Sequence, residues 1–349
     1  MYGTQSIGLV RCEVDSIEVD VSAQDLLTPG CFVLADIGGT NARFAFVTSD
    51  DATLQCVHSY ACSEYVRFED ALGAYFALLA RNAAPKPVRA CLAVAAAVHD
   101  DHIKMTNSPW QFSRSALSEL FKLPISILND FGAQAYCLAD LTHTQLQWWQ
   151  QAIPESLLVE PAGHARTIVG PGTGFGGATL LPSGEVLESE PGHVSFAPID
   201  THEAALLTCL WQRYPRISVE HLLSGPGLAN LYWANAQLKG LAGELPAAAI
   251  VAGARQGDAL CLQSIADFTG IMGSVCGDIA LSTGSLSGLF LSGAMLAKMD
   301  EIFDRRLFMT RFTDKGPFSA WCRSVPVAHI RAEYPGLLGC AAYCRAAHV

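Results

Sequence analysis

A strand–glycine turn–strand unit that occurs twice is the feature that most constrains the fold of this chain. The first copy is broken at Gly38 and Gly39 and reads CFVLADIGGTNARFAFV. The second is broken at Gly172 and Gly174 and reads ARTIVGPGTGFGGATLLPSG. β-rich apolar runs joined by a short glycine turn are typical of β-hairpins. We therefore expect two glycine-tipped hairpins, one in each half of the chain.

Helical and strand patterns alternate around these hairpins. Apolar residues at helical spacing predict helices in RFEDALGAYFALLARNA and ALCLQSIADFTGIMGSVCGDIAL. The apolar runs VRACLAVAAAV, PISILND and GLFLSG predict strands, and GAQAYCLADL predicts a helix directly after the second of them. This alternation indicates α/β layers. A polar, turn-rich segment near 140–165 is the expected crossing into a second domain.

Charge and cysteine usage bear on partners and location. The net charge of −11 argues against a nucleic-acid binder, which needs a basic patch. No uninterrupted apolar run reaches the roughly 18 residues of a membrane span, and we expect residues 1–30 to form a solvated extension. Twelve cysteines without a C-x-x-C pair predict buried thiols in a reducing cytoplasm and no metal site. The terminal Ala-His-Val loosely resembles a peroxisomal address, which gives an alternative location.

The second glycine turn satisfies the dinucleotide-binding pattern G-x-G-x-x-G through Gly172, Gly174 and Gly177. That pattern requires a helix after the glycines, whereas ATLLPSGEV predicts a strand and a turn. No Lys-Ser or Lys-Thr follows, so a Walker A loop is excluded. A plain hairpin turn explains one such cluster. Two clusters, each with Thr or Asn beside the glycines, favour phosphate binding by backbone N–H groups.

Two aspartates adjoin predicted strand ends and turns. Asp130 follows the strand in ILNDF, where it is either the N-cap of the next helix or a general base at the carboxyl end of a strand. Asp36 precedes the first glycine turn, where it either caps that turn or binds the Mg²⁺ that accompanies a nucleotide. The residues alone leave both alternatives open.

One loop offers candidates for binding a polyhydroxyl ligand, and one further acid lies in a helical pattern. Glu190 and His193 lie three residues apart around a Pro-Gly turn, and the alternative is a solvated surface loop. Glu220 lies in ISVEHLLSGPG, a segment with a helical pattern, and the alternative is a solvated helix face.

Taken together, these residues resemble the bacterial glucokinase family of the hexokinase and actin-like ATPase superfamily. The resemblance runs from about residue 31 to the C-terminus. The motifs that carry it are DIGGTNAR (36–43), MTNSPWQFS (105–113), ILNDF (127–131), GPGTGFGGA (170–178), PGHVSFAP (191–198), LSGPGLANLY (223–232) and PGLLGCAAY (335–343). It implies an α/β, two-domain actin-like ATPase (ribonuclease H-like) fold with a cleft between the domains. The expected small domain is 31–140, completed by about 333–349, and the large domain is 141–332.

The resemblance also implies an activity, the phosphorylation of D-glucose at O6 by ATP to give glucose 6-phosphate and ADP. Asp130 is implied to be the general base, and Asp36 to lie beside Mg²⁺, directly or through water. The residues implied to bind the sugar are Asn107, Asn129, Asp130, Glu190, His193 and Glu220. Those implied to bind ATP are Asp36, Gly38, Gly39, Thr40, Asn41, Gly172, Thr173, Gly174 and Gly293. A cytoplasmic homodimer is the expected assembly.

The chain departs from the family pattern in two places. Glu-Pro-Gly-His stands at 190–193 where the family usually has Glu-Gly-Gly-His. Proline fixes φ and removes one N–H, which predicts a stiffer or shifted sugar loop. Ser-Gly-Ala-Met at 292–295 replaces a more glycine-rich turn near the adenosine. No cysteine-rich motif of the related repressor and sugar-kinase family follows His193, so zinc is not expected.

Three alternative functions stay open at this point. A nicotinamide oxidoreductase would need a helix after Gly177. A non-catalytic sugar sensor would need a DNA-binding helix pair or a basic patch. A kinase of the same class could take mannose, fructose or glucosamine as its sugar, or ADP or polyphosphate as its phosphoryl donor.

Overall fold

Two β-sheets organise the computed structural model, which describes residues 30–106, 108–150 and 163–346. The strands of the first sheet are β1 (Cys31–Ile37), β2 (Asn41–Thr48), β3 (Gln55–Ala61), β4 (Pro87–Val94) and β7 (Ile125–Asn129). Those of the second are β8 (Leu146–Trp148), β9 (Arg166–Pro171), β10 (Phe175–Leu180), β11 (Val186–Ser189), β12 (Leu289–Leu291) and β13 (Val327–Ile330). A small ribbon pairs β5 (His102–Lys104) with β6 (Gln111–Ser113).

The two sheets share one topology. The first has the order β3-β2-β1-β4-β7, and the second has β11-β10-β9-β12-β13 with β8 added at its edge. In both, the central hairpin is antiparallel and the next two strands are parallel to its first strand. Both predicted hairpins are therefore confirmed. The strand β10 follows the second glycine turn, so the helix that a dinucleotide site requires is not there.

Eleven helices lie in the described parts of the chain. They are α1 (Phe68–Arg81), α2 (Arg114–Phe121), α3 (Asp130–Cys137), α4 (Thr201–Leu210), α5 (Gly225–Leu238), α6 (Ala247–Arg255), α7 (Ala259–Thr283), α8 (Ala294–Met299), α9 (Arg305–Thr313), α10 (Ser319–Ser324) and α11 (Pro335–Ala346). The predicted helices α1 and α7 are confirmed. The helix expected over 132–141 begins earlier, at Asp130, because Asn129 caps it.

The first hairpin is apolar because its inner strand is covered on both faces. Val33 and Ile37 face a core shared with α1, and Phe32 and Leu34 face a second core shared with α11. A strand buried on both faces reads as a continuous apolar run. The helix α11 packs against α3, β1 and β4, so it joins the first sheet from the far end of the sequence. The predicted limits of the two domains stay a prediction.

Helix α7 is the centre of the second core, where it packs against α9 and α5. It is the one helix in the described ranges that is long and apolar enough to cross a membrane by length and composition. Two-thirds of its most apolar window, 67%, is buried inside the fold, as in the core helix of a soluble domain. The described cysteines are free thiols, and all but Cys56 are buried. The N-terminal extension and the terminal Ala-His-Val lie outside the described residues.

Candidate active site

The first glycine turn is closed by its own backbone. The Gly38 N–H donates to the Asn41 carbonyl at 3.0 Å, and the Cys62 N–H donates to the Thr40 carbonyl at 2.8 Å. The side chains of Thr40 and Asn41 are exposed at the tip, and Gly38 and Gly39 are half-buried. The turn therefore presents small polar groups and accessible backbone on a rigid base.

The second glycine turn is held by a carboxylate from a distant segment. The Phe175 N–H donates to Glu220 Oε2 at 2.9 Å, and the Gly225 N–H donates to the Gly172 carbonyl at 2.9 Å. A Cβ on Gly174 would lie 2.3 Å from Glu220 Oε2, so a side chain at 174 would have to displace this carboxylate. Thr173 is exposed at the tip.

The helical pattern around Glu220 predicts a solvated helix face, and this prediction is wrong. Glu220 lies in a single 3₁₀ turn, Val219–His221. The Ser218 N–H caps this turn by donating to His221 Nδ1 at 3.1 Å. Its carboxylate faces the second glycine turn rather than solvent on a helix face.

Asp130 is the first residue of α3 and follows the last residue of β7. The N-cap is its neighbour Asn129, whose Oδ1 accepts the N–H groups of Phe131 at 3.0 Å and Gly132 at 3.2 Å. Asn129 Nδ2 donates to the Ala96 carbonyl at 3.3 Å. Asp130 is therefore not the N-cap, and that alternative is wrong. The Asp130 carboxylate lies at the carboxyl end of the edge strand β7.

Burial and neighbouring acids raise the pKa of Asp130 to about 6. Burial is the largest cause, and the negative charges of Asp36 and Glu190 act in the same direction. The hydrogen bond from the Phe131 N–H to Asp130 Oδ1, at 2.9 Å, lowers the pKa and offsets part of that rise. The structure thus brings two other predicted carboxylates, Asp36 and Glu190, within electrostatic range of Asp130. A carboxyl with a pKa near neutrality suits general-base catalysis.

Asp36 is held between a cation and a helix start. Its carboxylate lies 4.0 Å from Arg43 Nη1, and these two residues are opposite each other in the β1–β2 register. A Cβ on Gly336, in the first turn of α11, would lie 2.9 Å from Asp36 Cγ. Burial raises the pKa of Asp36, and the Arg43 charge opposes that rise.

The loop predicted to bind sugar, residues 190–193, packs against the second hairpin. Pro191–His193 form a 3₁₀ turn in which the His193 N–H donates to the Glu190 carbonyl at 3.1 Å. Pro191 occupies the first position of this turn, where a missing N–H costs no hydrogen bond. A Cβ on Gly192 would lie 2.2 Å from the Phe175 carbonyl, so the loop packs closely on the hairpin. The side chains of Glu190 and His193 are exposed.

Gly293 also lies beside the turn end of this hairpin, where Pro171 pairs with Phe175. Its φ is +108°, and a Cβ there would come 2.6 Å from the Pro171 carbonyl. Asn107 lies outside the described residues. Among the described residues no hydrogen bond joins the first glycine turn to the second. The structure therefore groups Asp36, Asp130 and Glu190 by charge, and groups the second turn with Glu220 and Gly293 by contact.

The family profile described as Glucokinase matches residues 33–347. The chain belongs to the glucokinase family. A glucokinase of Chromohalobacter salexigens is 39% identical over 321 residues, which cover 90% of this chain and 97% of that protein.

Solved structures agree with the fold. The crystal structure of a glucokinase from an Antarctic psychrotroph has a TM-score of 0.81 and 35% identity, over 90% of this chain and 98% of that one. A glucokinase of Balamuthia mandrillaris, solved in complex with glucose, has a TM-score of 0.73 at 20% identity, over 91% of this chain and 94% of that one, and supports the fold alone. The fold of this glucokinase-family chain is the two-domain actin-like ATPase fold, and ATP-dependent phosphorylation of glucose is the activity expected of it.

Sequence reasoning missed three residues that shape this site. Glu188 contacts the start of α3, Gly336 makes room for Asp36, and Arg216 Nη1 donates to the His193 carbonyl at 3.0 Å. Only Glu188 had a readable signal. It lies on β11 two residues before Glu190, which was itself a predicted site residue.

Proposed function

We propose that this protein transfers the γ-phosphoryl group of MgATP to the 6-hydroxyl of D-glucose, with Asp130 as the general base. The observation that carries the proposal is the position of Asp130 at the end of β7, with a pKa raised to about 6 by burial and by neighbouring acids. A base with this pKa is ionised at pH 7 and still takes a proton readily. It accepts the hydroxyl proton as the sugar oxygen attacks phosphorus.

The two glycine turns are proposed to hold the phosphates. In phosphoryl transfer the protein contributes mainly positioning and charge stabilisation. Gly38, Gly39, Thr40 and Asn41 offer one exposed turn, and Gly172, Thr173 and Gly174 offer the other. The second turn is fixed by Glu220, so it needs little rearrangement to receive an anion. Gly293, beside Pro171, is proposed to border the adenosine.

Asp36 is proposed to hold the Mg²⁺ that accompanies ATP. Its carboxylate is half-buried and has one cation, Arg43, at 4.0 Å. A single carboxylate combined with substrate phosphates is the oxygen ligand set that Mg²⁺ favours. The donor set therefore fits this ion, which when bound neutralises charge on the transferring phosphoryl group.

The sugar is proposed to lie between Asp130 and the loop that carries Glu190 and His193. Asn129 and Glu220 border the same region, and Asn107 is proposed from its motif alone. Pro191 holds the loop turn on Gly177, because a Cβ on that glycine would lie 2.9 Å from the proline ring. A rigid loop of this kind favours one arrangement of sugar hydroxyls. We further propose a cytoplasmic homodimer without nucleic-acid partners.

Release of ADP tests this function. Purified protein is assayed with MgATP and, in turn, glucose, mannose, fructose, glucosamine or no sugar. We expect fast release with glucose, slow release with the other sugars, and little without sugar because water is excluded. Glucose binding without turnover, with ATP, ADP or polyphosphate as donor, would instead identify a sugar sensor.

A further inference from the structure

Glu188 forms a hydrogen bond across the two sheets, next to the proposed base. It lies on the edge strand β11, opposite Ala178 of β10. Its Oε1 accepts the N–H of Asn129, at the end of the other sheet's edge strand β7, at 3.3 Å. An edge strand has backbone groups without a strand partner. The carboxylate from the second sheet satisfies one of them, directly before Asp130.

The Glu188 side chain also lies against the first turn of α3. A Cβ on Gly132 would lie 2.6 Å from Glu188 Oε1, 3.2 Å from its Cγ and 3.3 Å from its Cδ. Gly132 is buried, so a side chain at 132 would have to displace this carboxylate. A negative charge at a helix N-terminus also interacts favourably with the helix dipole. Glycine at 132 and glutamate at 188 therefore act as one fitted contact.

We propose that Glu188 is a positioning residue that holds the start of α3, and with it Asp130, from the second domain. The proposal rests on Asp130 as the base of the proposed function. Asp130 follows directly on the residue whose N–H Glu188 accepts and precedes Gly132 by two residues. Glu188 does not touch the substrate and acts only through the placement of the Asp130 carboxylate.

The same strand end carries a residue proposed to bind the sugar. Glu190 follows Glu188 by two positions and comes directly after the last residue of β11. Sugar held at Glu190 therefore fixes the segment from which Glu188 holds the base. The contact provides a direct route by which an occupied sugar loop stabilises the catalytic position of Asp130.

Steady-state kinetics of four variants test this positioning role. Glu188→Ala removes the contact, Glu188→Gln keeps an oxygen acceptor, and Gly132→Ala displaces the carboxylate by steric clash. Glu185→Ala, at an exposed residue of the same hairpin, is the matched control. We expect Glu188→Ala and Gly132→Ala to lower kcat about 10- to 100-fold, the cost of a displacement on the order of 1 Å. The KM for glucose should stay within about 2-fold, and Glu188→Gln and Glu185→Ala should keep most of kcat.

A double variant separates positioning from general stabilisation. In an Asp130→Asn background, Glu188→Ala should lower the residual rate no further, because the group that it positions is gone. An equal further loss in that background, or an unchanged kcat in Glu188→Ala alone, would overturn the proposal. Near-normal turnover of Asp130→Asn alone would instead overturn Asp130 as the base, so the two failures are distinguishable.

Discussion

Replacing Asp130 by Asn should lower catalysis and raise stability. The buried site that makes Asp130 a good base also disfavours its negative charge. The Asn side chain keeps the Oδ1 acceptor for the Phe131 N–H. It loses the ability to take a proton. General-base catalysis is typically worth about 10²- to 10⁴-fold, so we expect kcat to fall by at least that factor while the KM for glucose changes little.

The stability of the variant should move in the opposite direction. The pKa of Asp130 is raised from 3.8 to about 6, so the folded state favours the protonated carboxyl. This stabilisation is present at low pH and is lost as pH rises through about 6. A side chain that is neutral at every pH should therefore raise the free energy of unfolding at pH 8. The difference is at most about 3 kcal/mol at pH 8 and about half that at pH 5.

Two assays check these expectations. Coupled ADP release gives kcat and KM, and urea unfolding at pH 5 and pH 8 gives the free energies. Asp50→Asn, at an exposed residue after β2, is the matched control and should change neither quantity. The reasoning would be refuted by an inactive variant that is less stable than the parent at pH 8, since that result points to lost packing rather than a lost base.

Three further predictions follow from other contacts. Gly336→Ala should raise the KM for MgATP severalfold without lowering the thermal midpoint, because the new methyl displaces Asp36 while alanine favours the helix; an unchanged KM would contradict it. Glu220→Ala should raise the KM for both ATP and glucose, because the Phe175 N–H of the second turn loses its acceptor; an effect confined to glucose would show that the turn does not depend on Glu220. Saturating glucose should make the protein more compact in solution scattering by closing the domains, and an unchanged profile would count against closure.

The elements with strong periodicity were predictable from the sequence. The hairpin strands are buried on one or both faces, so their apolar runs carry the signal, and α7 shows a helical pattern over about seven turns. The break at each glycine turn was equally clear. The family motifs then placed the candidate site, but the roles of its residues stay predictions.

Contacts between distant segments could not be read in this way. Asn and Asp are both good N-cap residues, so the motif ILNDF does not show which of the two caps the helix. In the structure Asn129 is the N-cap of α3. Glu220 contacts Phe175, which is 45 residues away in the sequence. The segment around Glu220 has the residue pattern of a longer helix but forms only one 3₁₀ turn. Glu188 and Gly132 face each other only because the edges of two sheets meet.

The position of α11 has a consequence for the order in which the protein is made. The first sheet is complete once β7 has been synthesised, yet the core that contains Phe32 and Leu34 is covered by Leu337 and Cys340. Roughly 200 residues separate β7 from α11, which take about 10 to 40 s at usual translation rates. During that interval the nascent first domain lacks this cover on one apolar face of its sheet, so we expect it to bind chaperones until α11 has been made.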